Sequence, residues 1–251
     1  MRLLDLFCGA GGCTKGYQQA GFVVRGVDIS RQPRYCGEEF IQADALEYLK
    51  ELIQSGEIEE FDAIHASPPC QAFSSMRTMP NAKPHDDKLT PTREILNCIE
   101  KPCVIENVEG APIFNLPLLG IHAVTLCGTM FGLHTTAGAE LRRHRLFETL
   151  RFVCSPPPPC RHDEIAEAVI GVYGGHGRDR RRRPRTITVV GNSGGSSTRD
   201  GVQEFSVDER REAMAIDWMS GAELSQAIPP AYTEFIGKQL INQLEQIKKA
   251  A

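Results

Sequence analysis

The sequence has no run of apolar residues long enough to cross a membrane, which would take about 18 of them in a row. Its first residues, MRLLDLFCGAGGC, lack the apolar core and the small-residue cleavage site of a secretory signal. We therefore expect a cytoplasmic protein that does not bind membranes. With 251 residues, of which 41% are hydrophobic, the chain can bury the core of one large α/β domain, with or without a small additional lobe.

The sequence also lacks the regular cysteine spacing of a disulfide framework, and its nine cysteines are an odd number. Free thiols of this kind are typical of proteins in a reducing compartment. In the segment CSPPPPCRH, Cys154, Cys160 and His162 are residue types that bind zinc, but their spacing is not that of a zinc finger and a fourth ligand is not evident. We interpret this segment as a linker stiffened by proline and predict no metal.

The sequence has no overall excess of positive charge, since the net charge is −4, but its arginines are concentrated in one region. The segment from Arg142 to Arg185 contains eleven arginines and five acidic residues, so it carries about +6 while the rest of the chain carries about −10. A basic segment on an acidic protein indicates a polyanionic partner.

Short apolar runs alternate with amphipathic segments along the first half of the chain. We predict strands at 2–7, 22–27, 40–42, 61–66 and 103–107, and helices at 14–20, 45–54 and 91–99. Further strands are predicted at 123–126, 168–173 and 186–190. This alternation predicts an α/β fold with a doubly wound, mostly parallel sheet.

Polar or flexible residues follow these strands, where an open parallel sheet binds its ligands. The glycine-rich turn CGAGG after the first strand would let the backbone approach a ligand. Asp28 follows the second strand and could accept hydrogen bonds from ribose hydroxyls, Asp44 follows the third, and Glu106 lies in the fifth. The alternative is that the glycines only make a tight turn and that the aspartates only cap helices.

Cys70 follows the fourth strand in the segment ASPPCQAFS. Pro68 and Pro69 fix two successive φ angles and remove two backbone donors, which makes a stiff loop. A thiol on such a loop is positioned to attack a bound group. The alternative is a small hydrophobic cysteine buried beneath a turn.

Three motifs, DLFCGAGG, ASPPCQAFS and IENVEG, resemble those of the cytosine-5 DNA methyltransferase family in order and spacing. The resemblance covers residues 3–147 and resumes near Val207. It implies a Rossmann-like class I methyltransferase fold that uses S-adenosylmethionine, with a small target-recognition insertion. It also implies a catalytic core at 1–149, a short basic recognition segment at 150–206 and a carboxyl-terminal part at 207–251 that returns to the core.

The resemblance assigns roles to individual residues. S-adenosylmethionine would lie across the turn formed by Gly9, Gly11 and Gly12, with Phe7 against the adenine, Asp28 on the ribose hydroxyls and Asp44 on the adenine amino group. Cys70 matches the nucleophile that adds to C6 of cytosine, and Glu106 matches the glutamate at N3 of the ring. Further implied cofactor contacts are Ile29, Ala45 and Pro68. Further implied DNA contacts are Pro69, Gln71, Ser74 and Asn107, of which Asn107 also looks structural.

The segment LRRHR at 141–145 resembles the Gln-x-Arg-x-Arg pattern of the family. Arg143 and Arg145 fit the two arginines, which would hold the target nucleotide through O2 and its phosphate. Leu141 replaces the glutamine, which puts one polar contact of the nucleotide pocket in doubt. The alternative interpretation of this segment is a solvated strand end.

The region that would read the DNA target is short, at about 150–206. Its arginines suit contacts with phosphates, which contribute affinity but little sequence information. We therefore expect a target of about two to four base pairs, or weak selectivity. The alternative for the arginine run is an exposed disordered loop. The arginines proposed to contact DNA are Arg180, Arg181, Arg182 and Arg183.

The carboxyl-terminal motifs match the family more loosely. The segment 207–214 resembles the helix that braces the recognition region, and 232–240 resembles the last motif. In that last motif Lys238 follows Gly237, where the family commonly has asparagine. A Gly-Asn-Ser sequence at 191–193 lies upstream of the bracing helix and receives no assignment.

The resemblance implies DNA as the partner and S-adenosylmethionine as the cofactor. The chain leaves no room for a fused endonuclease, so we expect a stand-alone monomer of bacterial or phage type that could work beside a separate restriction endonuclease. One alternative is the same chemistry on a free cytidine nucleotide or a tRNA, because the recognition segment is short. The other is a non-catalytic module that binds cofactor and nucleic acid, against which the intact Cys70, Glu106 and Arg145 argue.

Overall fold

A seven-stranded sheet with helices on both faces forms the body of the computed structural model, which describes residues 1–70, 86–114, 117–160, 169–171, 186–188 and 205–250. Five strands of the amino-terminal half pair in parallel in the order β3-β2-β1-β4-β5. They are β1 (Arg2–Leu6), β2 (Val23–Asp28), β3 (Glu39–Gln42), β4 (Ala63–Ala66) and β5 (Cys103–Asn107). The connecting helices are α1 (Gly12–Ala20), α2 (Ala45–Ser55) and α3 (Leu89–Asn97). The predicted doubly wound α/β fold is confirmed.

Local chemistry explains where these helices begin and end. Gly11 and Gly21 flank α1 in the left-handed conformation, which residues with a Cβ rarely adopt. Asp44 caps α2, because its Oδ1 accepts hydrogen bonds from the backbone N–H groups of Leu46 and Glu47. The helix ends at Gly56, which has φ of 80°. These caps lie within three residues of the bounds that the sequence predicts.

The other end of the sheet contains a strand that runs against its neighbours. Strand β6 (Ile121–Leu126) forms the edge, and β8 (Arg145–Leu150) lies between β5 and β6, antiparallel to both. A buried ion pair supports β8, since Arg93 Nε of α3 lies 2.8 Å from Glu148 Oε1. The prediction of a mostly parallel sheet is therefore correct, but the sequence analysis did not predict β8.

Strand β7 (Glu140–Arg142) belongs to a separate small sheet with β9 (Val169–Gly171) and β10 (Thr186–Thr188), in the order β10-β9-β7. All pairs in this sheet are parallel. The predicted strands at 168–173 and 186–190 thus correspond to β9 and β10. Beyond them, α4 (Val207–Met214) and α5 (Gly221–Gln226) each begin with a serine and a glutamate that form a capping box.

The last helix, α6 (Pro230–Ala250), packs against α1 on one face of the sheet. Gly237 permits this close approach, because a Cβ at that position would lie 2.7 Å from the Cβ of Ala20. Alternation along β1 separates the two layers of the core: Leu3 faces α1 and α6, while Leu4 and Leu6 face α2 and α3. In the part of the chain that the structure describes, no helix is long and apolar enough to span a bilayer.

Candidate active site

A cavity of about 400 Å³ lies beyond the carboxyl ends of β1, β2, β4 and β5, the edge where ligands are expected. Of the fifteen predicted site residues that the structure describes, it brings ten together here. They are Phe7, Gly9, Gly12, Asp28, Ile29, Pro68, Pro69, Cys70, Glu106 and Arg145. A larger and more open depression of about 650 Å³ lies between α1 and α4, but none of the predicted site residues lines it, so the smaller cavity is the candidate site.

One end of the cavity is built by the turn after β1 and by Asp28 at the end of β2. The two oxygens of Asp28 accept hydrogen bonds from the backbone N–H groups of Gly9, at 3.0 Å, and of Ser30, at 2.8 Å. Gly9 has φ of 52°, and a Cβ there would have no heavy atom within 4 Å. Each carboxylate oxygen has a second lone pair, so Asp28 can still accept hydrogen bonds from a ligand. The exposed Ile29 adds an apolar surface at the rim.

The other end of the cavity contains Cys70, whose loop is held from two sides. The backbone N–H of Ser67 donates to the carbonyl of Leu6, and Nδ2 of the buried Asn107 donates to the carbonyl of Pro68 at 3.1 Å. Asn107 therefore supports the Cys70 loop rather than lining the cavity. The sequence analysis gave Asn107 two roles, a DNA contact and a structural role, and this hydrogen bond agrees with the structural role.

Glu106 and Arg145 form a buried ion pair beside Cys70, with 2.8 Å between Oε1 and Nε. The antiparallel pairing of β5 with β8 brings them together, because Asn107 pairs with Leu146. Among the residues that the structure describes, none donates a well-aligned hydrogen bond to Oε1. Burial raises the pKa of Glu106, while Arg145 and Arg143 oppose the shift.

The pKa of Cys70 is also raised, because the thiol is largely buried. Arg145 opposes this shift by favouring the thiolate, whereas the negative charge of Glu106 adds to it. Arg143 also favours the thiolate. The site thus combines a thiol, a carboxyl group and a guanidinium group in the lining of one cavity.

Residues 1–112 match the sequence model of the family described as C-5 cytosine-specific DNA methylase. This similarity covers the amino-terminal part of the chain, which is less than half of its 251 residues. The match covers the turn after β1, the Cys70 loop and Glu106. It ends before Arg143 and Arg145, whose assignment therefore depends on the structure. No curated protein sequence matches the chain.

Solved structures of methyltransferases share the fold over nearly the whole chain. One is an E. coli prophage protein assigned as a DNA modification methyltransferase, with a TM-score of 0.56, 16% identity and coverage of 98% of this chain and 99% of the other. Another is the S. pombe Dnmt2 methyltransferase, with a TM-score of 0.57, 12% identity and coverage of 97% and 99%. A third is the Entamoeba histolytica methyltransferase EhMeth, with a TM-score of 0.56, 12% identity and coverage of 97% of this chain and 98% of the other. At these identities the similarity shows the methyltransferase fold alone.

Besides Asn107, four of the assigned residues that the structure describes do not line the cavity. A Cβ at Gly11 would point at Cys36, at 2.7 Å from its Sγ. Asp44 and Ala45 begin α2, and one oxygen of Asp44 is used by the helix cap. Arg143 is buried and donates from Nη2 to the backbone carbonyls of Ser225 and Ala227. These positions support the walls of the site in this structure, and their contacts with a ligand remain predictions.

Several predicted residues lie outside the described part of the chain. They are Gln71, Ser74, His162, the four arginines Arg180, Arg181, Arg182 and Arg183, and the Gly-Asn-Ser sequence at 191–193. The DNA contacts predicted for Gln71, Ser74 and the four arginines, and the linker that contains His162, therefore remain predictions. The segment 191–193 still has no assignment.

A chain of buried polar groups, which the sequence analysis did not predict, reaches Glu106. The Tyr17 hydroxyl lies 3.0 Å from Nδ1 of His65, and Nε2 of His65 lies 2.9 Å from Oγ of Ser67. Ser67 in turn forms a hydrogen bond with Glu106. Burial lowers the pKa of His65 to about 3, so the imidazole is neutral. The available signal was the histidine and serine in the otherwise apolar run FDAIHAS.

Asp5 is a second site residue that the sequence analysis missed, although it interrupts the apolar strand RLLDLF. Its side chain is fully buried. Oδ2 accepts a hydrogen bond from Oγ1 of Thr14 at 2.6 Å, while Oδ1 has no hydrogen-bond partner among the described residues. Burial raises its pKa from 3.8 to about 7, against the opposing effect of Thr14.

Substitution of Asp5 by asparagine is expected to make the protein more stable above neutral pH. The folded protein holds the Asp5 proton more strongly than the unfolded chain, so stability is highest at low pH and falls as the pH rises from about 4 to about 7. Asp5→Asn removes this decrease in the free energy of unfolding, which amounts to at most about 4 kcal/mol at pH 8. Urea unfolding of both proteins across this pH range measures the difference. The same pH dependence in both proteins would contradict the buried-carboxyl interpretation.

Proposed function

We propose that this protein transfers a methyl group from S-adenosylmethionine to C5 of cytosine in DNA. The observation that carries the proposal is the cavity that joins Asp28 and the Gly9 turn to Cys70, Glu106 and Arg145. The match of residues 1–112 to the model of C-5 cytosine-specific DNA methylases supports the proposal. The cofactor, the substrate and the roles of individual residues belong to the proposal.

The residues at the Asp28 end of the cavity fit S-adenosylmethionine. The Asp28 carboxylate can accept hydrogen bonds from ribose hydroxyls, and the open space at Gly9 lets the chain approach a ligand. Phe7 and Ile29 offer apolar surfaces to the adenine ring. The cofactor, when bound, supplies an electrophilic methyl group. The chain itself provides the groups that make cytosine reactive.

Cys70 is proposed to act as the nucleophile. Its thiolate would form a bond to C6 of cytosine, and the electron pair of the C5–C6 double bond would shift toward C5. Methylation at C5, loss of the C5 proton and expulsion of the Cys70 thiolate then restore the aromatic ring. The stiff loop contributes by holding Sγ at one place in the cavity.

Glu106 is proposed to donate a proton or a strong hydrogen bond to N3 while negative charge develops on the ring. Its raised pKa suits this task, because the group must keep a proton near neutral pH. Arg145 holds the carboxyl group in position and favours the thiolate of Cys70. The hydrogen bonds from His65 through Ser67 fix the orientation of Glu106 from the other side.

A cytosine in a duplex would have to leave the base stack to reach this cavity, at a cost of a few kcal/mol. We propose that residues 150–206 form the segment that holds the DNA, between a catalytic core at 1–149 and a return to the core at 207–251. Strands β9 and β10 of this segment join β7, which lies before residue 150, in a small sheet that is separate from the main sheet. Action as a monomer beside a separate restriction endonuclease stays a prediction.

Transfer of a radiolabelled methyl group from S-adenosylmethionine to duplex DNA tests the proposed function, with tRNA and dCMP in parallel and identification of the labelled nucleoside. Label in 5-methyldeoxycytidine from the duplex is expected. Label only in RNA or in the free nucleotide would keep the chemistry but replace the substrate. No label anywhere would favour the binding module. If no label is transferred, titration calorimetry with S-adenosylmethionine shows whether the protein still binds the cofactor, and Asp28→Ala should weaken that binding.

A further inference from the structure

Cys127, His144 and Cys160 form a cluster that the proposed methyl transfer does not use. Their candidate ligand atoms, two Sγ and one imidazole nitrogen, all lie within 4.8 Å of one another. Cys127 is buried and the other two are half-buried. In the part of the chain that the structure describes, no other group of three such residues has this spacing. These are the residue types that bind zinc most often in structural sites.

Strand register places two of these residues opposite each other. Leu126 of β6 pairs with Arg145 of β8, so the next residues outward, Cys127 and His144, face each other just beyond the ladder. Cys160 comes from the chain after β8, and Gln239 of α6 holds that segment at Ser155. Three pieces of chain that are remote in sequence therefore converge on one point.

The spacing agrees with a tetrahedral zinc ion. Zinc binds sulfur at about 2.3 Å and nitrogen at about 2.0 Å, which puts the two ligand atoms about 3.6 Å apart at the tetrahedral angle. Sγ of Cys160 and Nε2 of His144 are 3.5 Å apart. A short movement of side chains would complete the geometry for Cys127, because its Sγ already lies within 4.8 Å of both.

Glu109 supplies the outer partner that a metal-binding histidine usually has. Its Oε1 lies 2.8 Å from Nδ1 of His144, the ring nitrogen that faces away from Cys160. Such a carboxylate fixes the tautomer in which Nε2 is free to bind the metal and makes that nitrogen a stronger ligand. The ion pair therefore orients the imidazole toward the two sulfurs.

We propose that Cys127, His144 and Cys160 bind a zinc ion that ties the segment after β8 to the catalytic core. The fourth position would be filled by water or by another residue. The ion would sit beside Arg145, which follows His144, and so would stabilise the edge of the site. This proposal replaces the sequence prediction of no metal. Cys154, which the sequence grouped with Cys160, instead accepts a hydrogen bond from Gln239.

Zinc content of the purified, reduced full-length protein tests the proposal, measured by mass spectrometry of the metal after dialysis. Close to one equivalent is expected. Replacement of zinc by cobalt should give the absorption bands of a tetrahedral site with thiolate ligands. Both measurements are independent of methyl transfer, so they can succeed even when the proposed function fails.

Cys127→Ser and Cys160→Ser should each lose the bound metal, and Glu109→Gln should weaken binding about 10- to 100-fold. Cys98→Ser is the matched control, because Cys98 is an exposed free thiol remote from the cluster, and it should retain the zinc. Wild-type protein that takes up no zinc or cobalt, a disulfide between Cys127 and Cys160 in its place, or zinc retained in both serine variants would overturn the proposal. The cobalt spectrum of the wild type decides the matter if a variant does not fold.

Discussion

Replacement of Cys70 by alanine is expected to reduce methyl transfer by about four orders of magnitude or more, since the proposed reaction cannot start without the bond to C6. Binding of S-adenosylmethionine should be unchanged, because the cofactor end of the cavity is built by Asp28 and the Gly9 turn. The measurement is label transfer to duplex DNA, with calorimetry for the cofactor.

A DNA duplex that contains 5-fluorocytosine provides a second readout for Cys70. Fluorine at C5 cannot leave as a proton does, so the wild type should remain covalently attached and the complex should survive denaturation. Cys70→Ala should give no such complex, whereas the control Cys98→Ala should behave as the wild type, because Cys98 is exposed and does not line the cavity. Methyl transfer retained by Cys70→Ala would refute the covalent mechanism.

Glu106→Gln is expected to lower kcat by about 100- to 10,000-fold, the usual contribution of a positioned acid. Glutamine has nearly the same shape but cannot supply a proton, and it removes the charge that pairs with Arg145 at 2.8 Å. Steady-state rates with DNA measure the loss. Glu100→Gln is the control, because Glu100 is an exposed carboxylate just before β5. A kcat close to that of the wild type would exclude Glu106 from the chemistry.

The pH profile distinguishes an acid from a merely structural Glu106. The proposed reaction needs the thiolate of Cys70 and the acid form of Glu106, so the wild-type rate should rise and then fall with pH. In Glu106→Gln the fall should disappear, because only the ionisation of Cys70 then controls the rate. A falling limb that persists in the variant would assign it to another group.

The periodicity of the sequence was enough to predict elements that local contacts stabilise or that are completely buried. Strand β5 begins and ends where its apolar run CVIEN does, and the helix predicted at 207–214 corresponds to α4. Both have clear chemical boundaries, a proline before β5 and a serine cap before α4. Strand β8 was missed because its alternation is weak and its place between β5 and β6 depends on pairing with residues that are 19 to 47 positions away.

The sequence by itself determined the α/β fold and the order of the motifs, because the glycine turn, the two prolines before Cys70 and the segment IENVEG are each constrained by local backbone geometry. Only the tertiary structure decided which side chains meet. It paired Glu106 with Arg145 across β8, buried Asp5 so that its pKa rises to about 7, and brought His144 between Cys127 and Cys160. The physical reason is that contacts and desolvation depend on strand register and packing between remote segments, which no local pattern records.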